Sequence, residues 1–116
     1  MEDDGAILKL VKIVLERENF TAEGVKSGAA AIELLASVAY DLLIVDLMMP
    51  GIGGEEVLGY LELTQPKSLR RVVVTTASPN RMSCEFLQRI CRLLAKPFNI
   101  EELVLIAKEC ARPDAA

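Results

Sequence analysis

The 116-residue chain carries 13 basic and 17 acidic residues, a formal net charge of −4 and 52 % hydrophobic residues, which suits one folded domain and excludes a disordered chain. The acidic balance, with no basic run beyond Arg70-Arg71, argues against a nucleic-acid partner, and Glu2, Asp3 and Asp4 stand where a secretory signal needs basic residues. No apolar run reaches the roughly 20 residues of a membrane span, and the lack of histidine argues against a zinc site, a Ser-His-Asp triad or a phosphohistidine relay within the chain.

Ile7, Leu10, Val11, Val14 and Leu15 recur at helical spacing and predict an amphipathic helix over residues 6–18. Residues 21–26 read as a short strand, weakened by Gly24. Ser27 is placed to cap an Ala-rich helix over residues 28–37. The unbroken run Leu42-Leu43-Ile44-Val45 reads as a strand buried on both faces, as in a parallel sheet. Met49 to Gly54 form a loop by their Pro and Gly content, and residues 55–63 a helix with Val57, Leu58 and Leu61 inward. Residues 65–68 connect to a second buried strand, Val72-Val73-Val74-Thr75. A loop at 77–80 leads to a helix predicted over 81–91, a third apolar strand at 93–95, and a last helix capped by Asn99 and carrying Ile100, Leu103, Val104 and Ala107. The domain is expected to span residues 1–112, with a frayed, disordered tail at 113–116. Cys91 and Cys110 fall at apolar positions and read as core thiols. Together with Cys84 they share no metal-ligand spacing, and three thiols suit a reducing, cytoplasmic location.

This alternation predicts an α/β fold, a doubly wound parallel sheet of four strands with five helices on its two faces. Function in such sheets gathers at the carboxyl ends of the strands. Asp46, Thr76 and Lys96 stand at or just past three strand ends, and Glu2, Asp3 and Asp4 just before the first helix. Singly, each has a bland reading: a loop-capping acid, a strand hydroxyl, a surface lysine, a solvated helix N-terminus. Together they form a coherent set. Acids can hold Mg²⁺, which prefers oxygen ligands. Asp46 can act as a nucleophile on phosphorus, while Lys96 and Thr76 stabilise charge on the transferring oxygens.

The segments EDDGAILKLVKIVLERENF (2–20), DLLIVDLMMPGIGGEEVL (41–58), VVVTTAS (72–78) and AKPF (95–98) resemble the receiver domain of two-component response regulators, the CheY-like, flavodoxin-like fold, over nearly the whole chain. The resemblance implies that Asp46 is the phosphoacceptor. It implies that Glu2, Asp3, Asp46 and the Met48 carbonyl hold Mg²⁺, that Thr76 turns toward the phosphoryl group and Lys96 pairs with it, and that the Lys96–Pro97 bond is cis. It also implies a sensor histidine kinase upstream and a downstream protein target, while the composition argues against a membrane or nucleic-acid partner. No external substrate is evident. Met48 occupies the place where aspartyl-phosphate hydrolases often carry a second Asp, so a turnover enzyme is not expected.

The chain departs from this pattern at its start, where Met1 runs directly into the acidic pair with no apolar first strand. Three explanations stay open: a truncated start, rearranged pairing of residues 21–26 with 42–45, or a homodimer in which two chains complete each other's sheets. Without that strand, Glu2 and Asp3 are expected on an untethered terminus. The primary expectation is a stand-alone phosphorylatable receiver that signals by protein contact. The alternative is a non-catalytic, receiver-like interaction or dimerisation module with an incomplete metal site.

Overall fold

Five consecutive β-branched residues, Val72 to Thr76, form a strand buried along its whole length and set the plane of the molecule. The structure, a computed structural model, describes residues 1–47 and 53–111. In chain order it places α1 (Gly5–Arg17), α2 (Gly28–Ser37), β1 (Leu43–Asp46), α3 (Gly54–Thr64), β2 (Val72–Thr76), α4 (Cys84–Leu87), β3 (Arg92–Ala95) and α5 (Ile100–Cys110), with 3₁₀ turns at Pro66–Arg71 and Pro79–Arg81. The three strands run parallel in the order β1-β2-β3, with Asp46 opposite Thr75 and Ala95 opposite Thr76.

Side-chain alternation along β2 divides the core. Val72 and Val74 pack with Leu35 of α2 and with Val57, Leu58 and Leu61 of α3. Val73 packs on the other face with Leu94, Leu103 and Cys110. Helices therefore cover both faces, α2 beside α3 and α1 beside α5. Their starts are capped as the side chains dictate. Asp4 accepts from the Ala6 and Ile7 N–H groups, Ser27 from Ala30, and Asn99 from Glu102.

The described residues form three strands, not the four expected. Residues 21–26 make no strand, because a strand needs a ladder partner and, among the described residues, the one sheet-like bond there is from the Glu2 N–H to the Val25 carbonyl at 3.1 Å. Nor do they pair with β1. Met1 lies between: its ammonium donates to the Ile44 carbonyl at 2.7 Å, and its carbonyl accepts from the Asp46 N–H at 3.0 Å. This is the bonding pattern of a parallel strand reduced to one residue.

The helix predicted over 81–91 shrinks to Cys84–Leu87. Met82 is extended, Ser83 opens a new cap, and the Cys91 N–H is already drawn to the Val72 carbonyl at 2.9 Å, so the chain must enter the sheet early. Arg70 and Arg71 lie in a 3₁₀ turn and not on a strand edge. Thr76 belongs to β2 instead of following it. Cys91 and Cys110 do pack with the core, but as a disulfide and not as thiols. Their positions, at the start of β3 and the end of α5, bring side chains together that sequence separation hides. Cys84 is a free, exposed cysteine. No described helix is long and apolar enough to cross a membrane. The expected disordered tail at 113–116 lies outside the described residues.

Candidate functional site

The site is built at the carboxyl ends of the strands. β1 ends in Asp46, whose side chain is only 3 % exposed. β3 delivers Lys96 one residue beyond Ala95, where the Lys96 N–H bonds the Thr76 carbonyl at 2.8 Å and the Lys96–Pro97 peptide is cis. The Lys96 ammonium bridges two acids. Its Nζ lies 2.9 and 3.1 Å from the Glu2 carboxylate oxygens and 3.1 Å from Asp46 Oδ2.

Glu2 reaches this position because its neighbour is fixed. The Met1 backbone is clamped to Ile44 and Asp46, and the Glu2 N–H to Val25, so the acidic pair does not lie on an untethered terminus. Glu2 is buried, whereas Asp3 is exposed. One carboxylate oxygen each from Glu2, Asp3 and Asp46 lie within 4.8 Å of one another. Hard oxygen donors grouped in this way fit a small divalent cation that keeps several waters. Met48, expected to add its carbonyl, lies outside the described residues.

Burial and mutual proximity perturb these groups. Burial pushes the Glu2 carboxyl above its usual range, with the neighbouring Asp46 adding to the rise and Lys96 opposing it. For Lys96, burial pulls downward, but the bonds to Glu2 and Asp46 outweigh it and the pKa is raised. The Met1 amine is lowered to about 6 by burial, against the pull of Glu2 and Asp46.

Thr76 is fully buried, and its Oγ1 accepts from the Ser78 N–H at 3.0 Å, which turns the chain at the end of β2. Its backbone carbonyl accepts from the Lys96 N–H, which holds it beside the cluster, while the one bond of its hydroxyl among the described residues is that to Ser78. Thr75, the register partner of Asp46, is likewise buried in the strand.

One residue that shapes the site escaped the sequence reading. A Cβ on Gly54 would sit 2.4 Å from the Asp46 carbonyl oxygen and 2.7 Å from Leu47 Cα, so only glycine lets α3 start this close to the end of β1. The Gly53-Gly54 pair just before a helical pattern carried that signal. The helix start is completed by Glu56, whose carboxylate accepts from the Gly53 N–H at 2.9 Å.

Comparison with known proteins identifies the family and the fold. The family model for the response regulator receiver domain matches residues 1–108. The transcriptional regulatory protein ResD of Bacillus subtilis is 30 % identical over 112 residues, covering 97 % of this chain and 46 % of ResD. The response regulator ArlR of Staphylococcus epidermidis is 29 % identical, covering 90 % of this chain and 47 % of its own length. The chain thus spans about half the length of these relatives. Among solved structures, the response regulator TrrA of Thermotoga maritima, determined with Mg²⁺-BeF, superposes with a TM-score of 0.81 at 28 % identity, over 94 % of this chain and 93 % of TrrA. A CheY-like receiver domain of Methylobacillus flagellatus superposes with a TM-score of 0.80 at 26 % identity, over 94 % and 92 %.

Proposed function

The chain belongs to the response regulator receiver domain family, and from that premise we propose that Asp46 accepts a phosphoryl group in a Mg²⁺-dependent reaction that switches contact with a partner protein. The observation that carries this reading is the convergence of Asp46, Glu2 and Lys96 at the ends of β1 and β3, with Lys96 Nζ within 3.1 Å of both acids.

In the proposed reaction an Asp46 carboxylate oxygen attacks the phosphorus of a phosphohistidine on a sensor kinase. The new O–P bond forms as the N–P bond breaks, and the electron pair returns to the imidazole, which takes a proton from solvent. Little covalent chemistry falls to the protein, so position and charge decide the rate. Lys96 is held by Glu2 and by the acceptor itself, and it offers its ammonium to the phosphoryl oxygens as charge moves onto them. Glu2, Asp3, Asp46 and the Met48 carbonyl would hold Mg²⁺, which when bound supplies positive charge opposite the transferring oxygens. TrrA, whose structure contains Mg²⁺-BeF, supports extending such a site to this chain.

The switch follows from the hydroxyl of Thr76. In the present arrangement its oxygen accepts from the Ser78 N–H, a bond that fixes its rotamer and does not use its O–H donor. A phosphoryl group on Asp46 offers stronger, charged acceptors. Turning toward them would release Ser78 and bias the loop that leads to α4, a shift between two existing states. The deciding experiment is intact mass after incubation with Mg²⁺ and a small phosphodonor, beside Asp46→Ala. A gain of one phosphoryl group, absent from Asp46→Ala and from a sample treated with chelator, is expected. A gain that persists in Asp46→Ala would refute the assignment.

A further inference from the structure

A second group of reactive side chains lies at the amino end of β3, away from the acids at the strand ends. Cys91 immediately precedes β3, the outer strand of the described sheet, and is partly exposed. Cys110 ends α5 and is buried among Val73, Leu94 and Leu103. The two are joined as a disulfide. The Cys91 side of that bond is the open one, so an incoming thiolate meets it first.

The two cysteines do not depend on the disulfide for their positions. The Cys91 N–H is fixed to the Val72 carbonyl at 2.9 Å. Arg92, the next residue, donates from Nε at 3.2 Å and from Nη2 at 2.6 Å to the carboxylate of Glu109, the residue before Cys110. Lys108 ties the same turn of α5 to Glu18 at 2.6 Å, and Leu103 and Ala107 bury the helix. A surface ion pair contributes little alone, but Arg92 and Glu109 span the same junction as the disulfide, one residue from each cysteine. Cleavage therefore leaves two thiols facing each other at high effective concentration. Cys84 stands apart. It is exposed on α4, whose Phe86 and Leu87 pack on the other face of the sheet.

We propose that Cys91 and Cys110 are a reversible redox pair, opened by an external dithiol through the Cys91 sulfur, and that opening loosens the last turn of α5 while the strand-end site keeps its geometry. The reductant's thiolate attacks the Cys91 sulfur, the bond to Cys110 breaks, and Cys110 leaves as a thiolate that takes a proton. The reductant's second thiolate then displaces Cys91, which is protonated in turn. The protein gains two electrons and two protons, and the dithiol becomes a disulfide. A monothiol fails at the second step, because Cys110, still beside Cys91, expels it and closes the bond again. This pair is independent of whether Asp46 accepts phosphate.

The test treats the folded 116-residue chain with dithiothreitol or with glutathione at equal thiol concentration, traps thiols with iodoacetamide and counts them by intact mass. Untreated protein is expected to take one label, on Cys84, and protein treated with dithiothreitol three. The rate should rise in proportion to dithiothreitol, and glutathione should open about tenfold less protein. On reduction, amide exchange at Ala111, bonded to the Ala107 carbonyl, should quicken about tenfold, with Lys96, bonded to the Thr76 carbonyl, still protected. Oxidised glutathione should then restore the single label. A rate independent of dithiothreitol would mean that the bond opens only on unfolding, and would overturn the proposal. So would equal reduction by glutathione, unchanged exchange at Ala111, lost protection at Lys96, or capture of Cys84 on reoxidation. Cys84→Ser, which touches neither partner of the pair, should open and close in the same way, and failure to close there would refute the pairing.

Discussion

Lys96 stands between two carboxylates that the fold has removed from water, with its own side chain 21 % exposed and those of Glu2 and Asp46 9 % and 3 %. Such a pair adds little net stability over apolar packing, but removing one partner leaves buried charge uncompensated. Lys96→Met should therefore lower the unfolding free energy at neutral pH by about 2 kcal/mol, discounted for the part-exposed lysine. The pH dependence follows from Glu2, whose folded pKa is raised. A carboxyl that binds its proton more readily when folded favours the folded state as pH falls through that raised value. In Lys96→Met the opposing pull of the ammonium is gone. Its deficit should shrink as pH falls toward the carboxyl range, and urea unfolding at pH 7 and pH 5 measures it. An equal deficit at both values would mean that packing, and not charge, is what Lys96 contributes.

At the scale of elements, the position of Asp46 depends on how closely α3 approaches β1. Gly54 opens that helix with no room for a side chain, its added Cβ falling 2.4 Å from the Asp46 carbonyl oxygen. The obstacle is backbone, which cannot swing aside as a flexible side chain would. Gly54→Ala should cost about 2 kcal/mol by overpacking. It should also slow phosphodonor labelling of Asp46 beyond what that stability loss explains, because a folded variant would carry Asp46 displaced. Unchanged labelling in a folded Gly54→Ala protein would show that α3 does not position Asp46. The apolar periodicity of α3 was visible in Val57, Leu58 and Leu61, whereas the reason for its glycine was not, since the atoms it must avoid belong to another element. The short α4 teaches the same lesson. Its helical pattern continued to Cys91, but a bond to β2 ended it first.

Across the whole molecule, the Cys91–Cys110 disulfide joins the beginning of β3 to the end of α5, at the edge of the core opposite the site. It closes a loop with a sequence separation of 19 residues, which restricts the unfolded chain. Reduction should lower stability by about 3 kcal/mol, measured by denaturant unfolding with and without dithiothreitol. Labelling of Asp46 in the folded protein should persist, because Lys96 lies at the other end of β3. Loss of labelling on reduction, with the fold retained, would instead tie the disulfide to the site.

The linear chain by itself determined the parallel αβ rhythm, the inward faces of its helices and the placing of Asp46, Thr76 and Lys96 at or beside strand ends, because those signals are local: period, caps and strand ends. It also pointed to Glu2 and Asp3 as partners of Asp46. The tertiary structure alone decided that Met1 serves as a single rung between β1 and residue 25, that residues 21–26 stay outside the sheet, and that Cys91 meets Cys110. Each of these depends on a partner distant in sequence. A backbone group has no preference of its own for strand or coil until the donor or acceptor that would satisfy it is brought within reach.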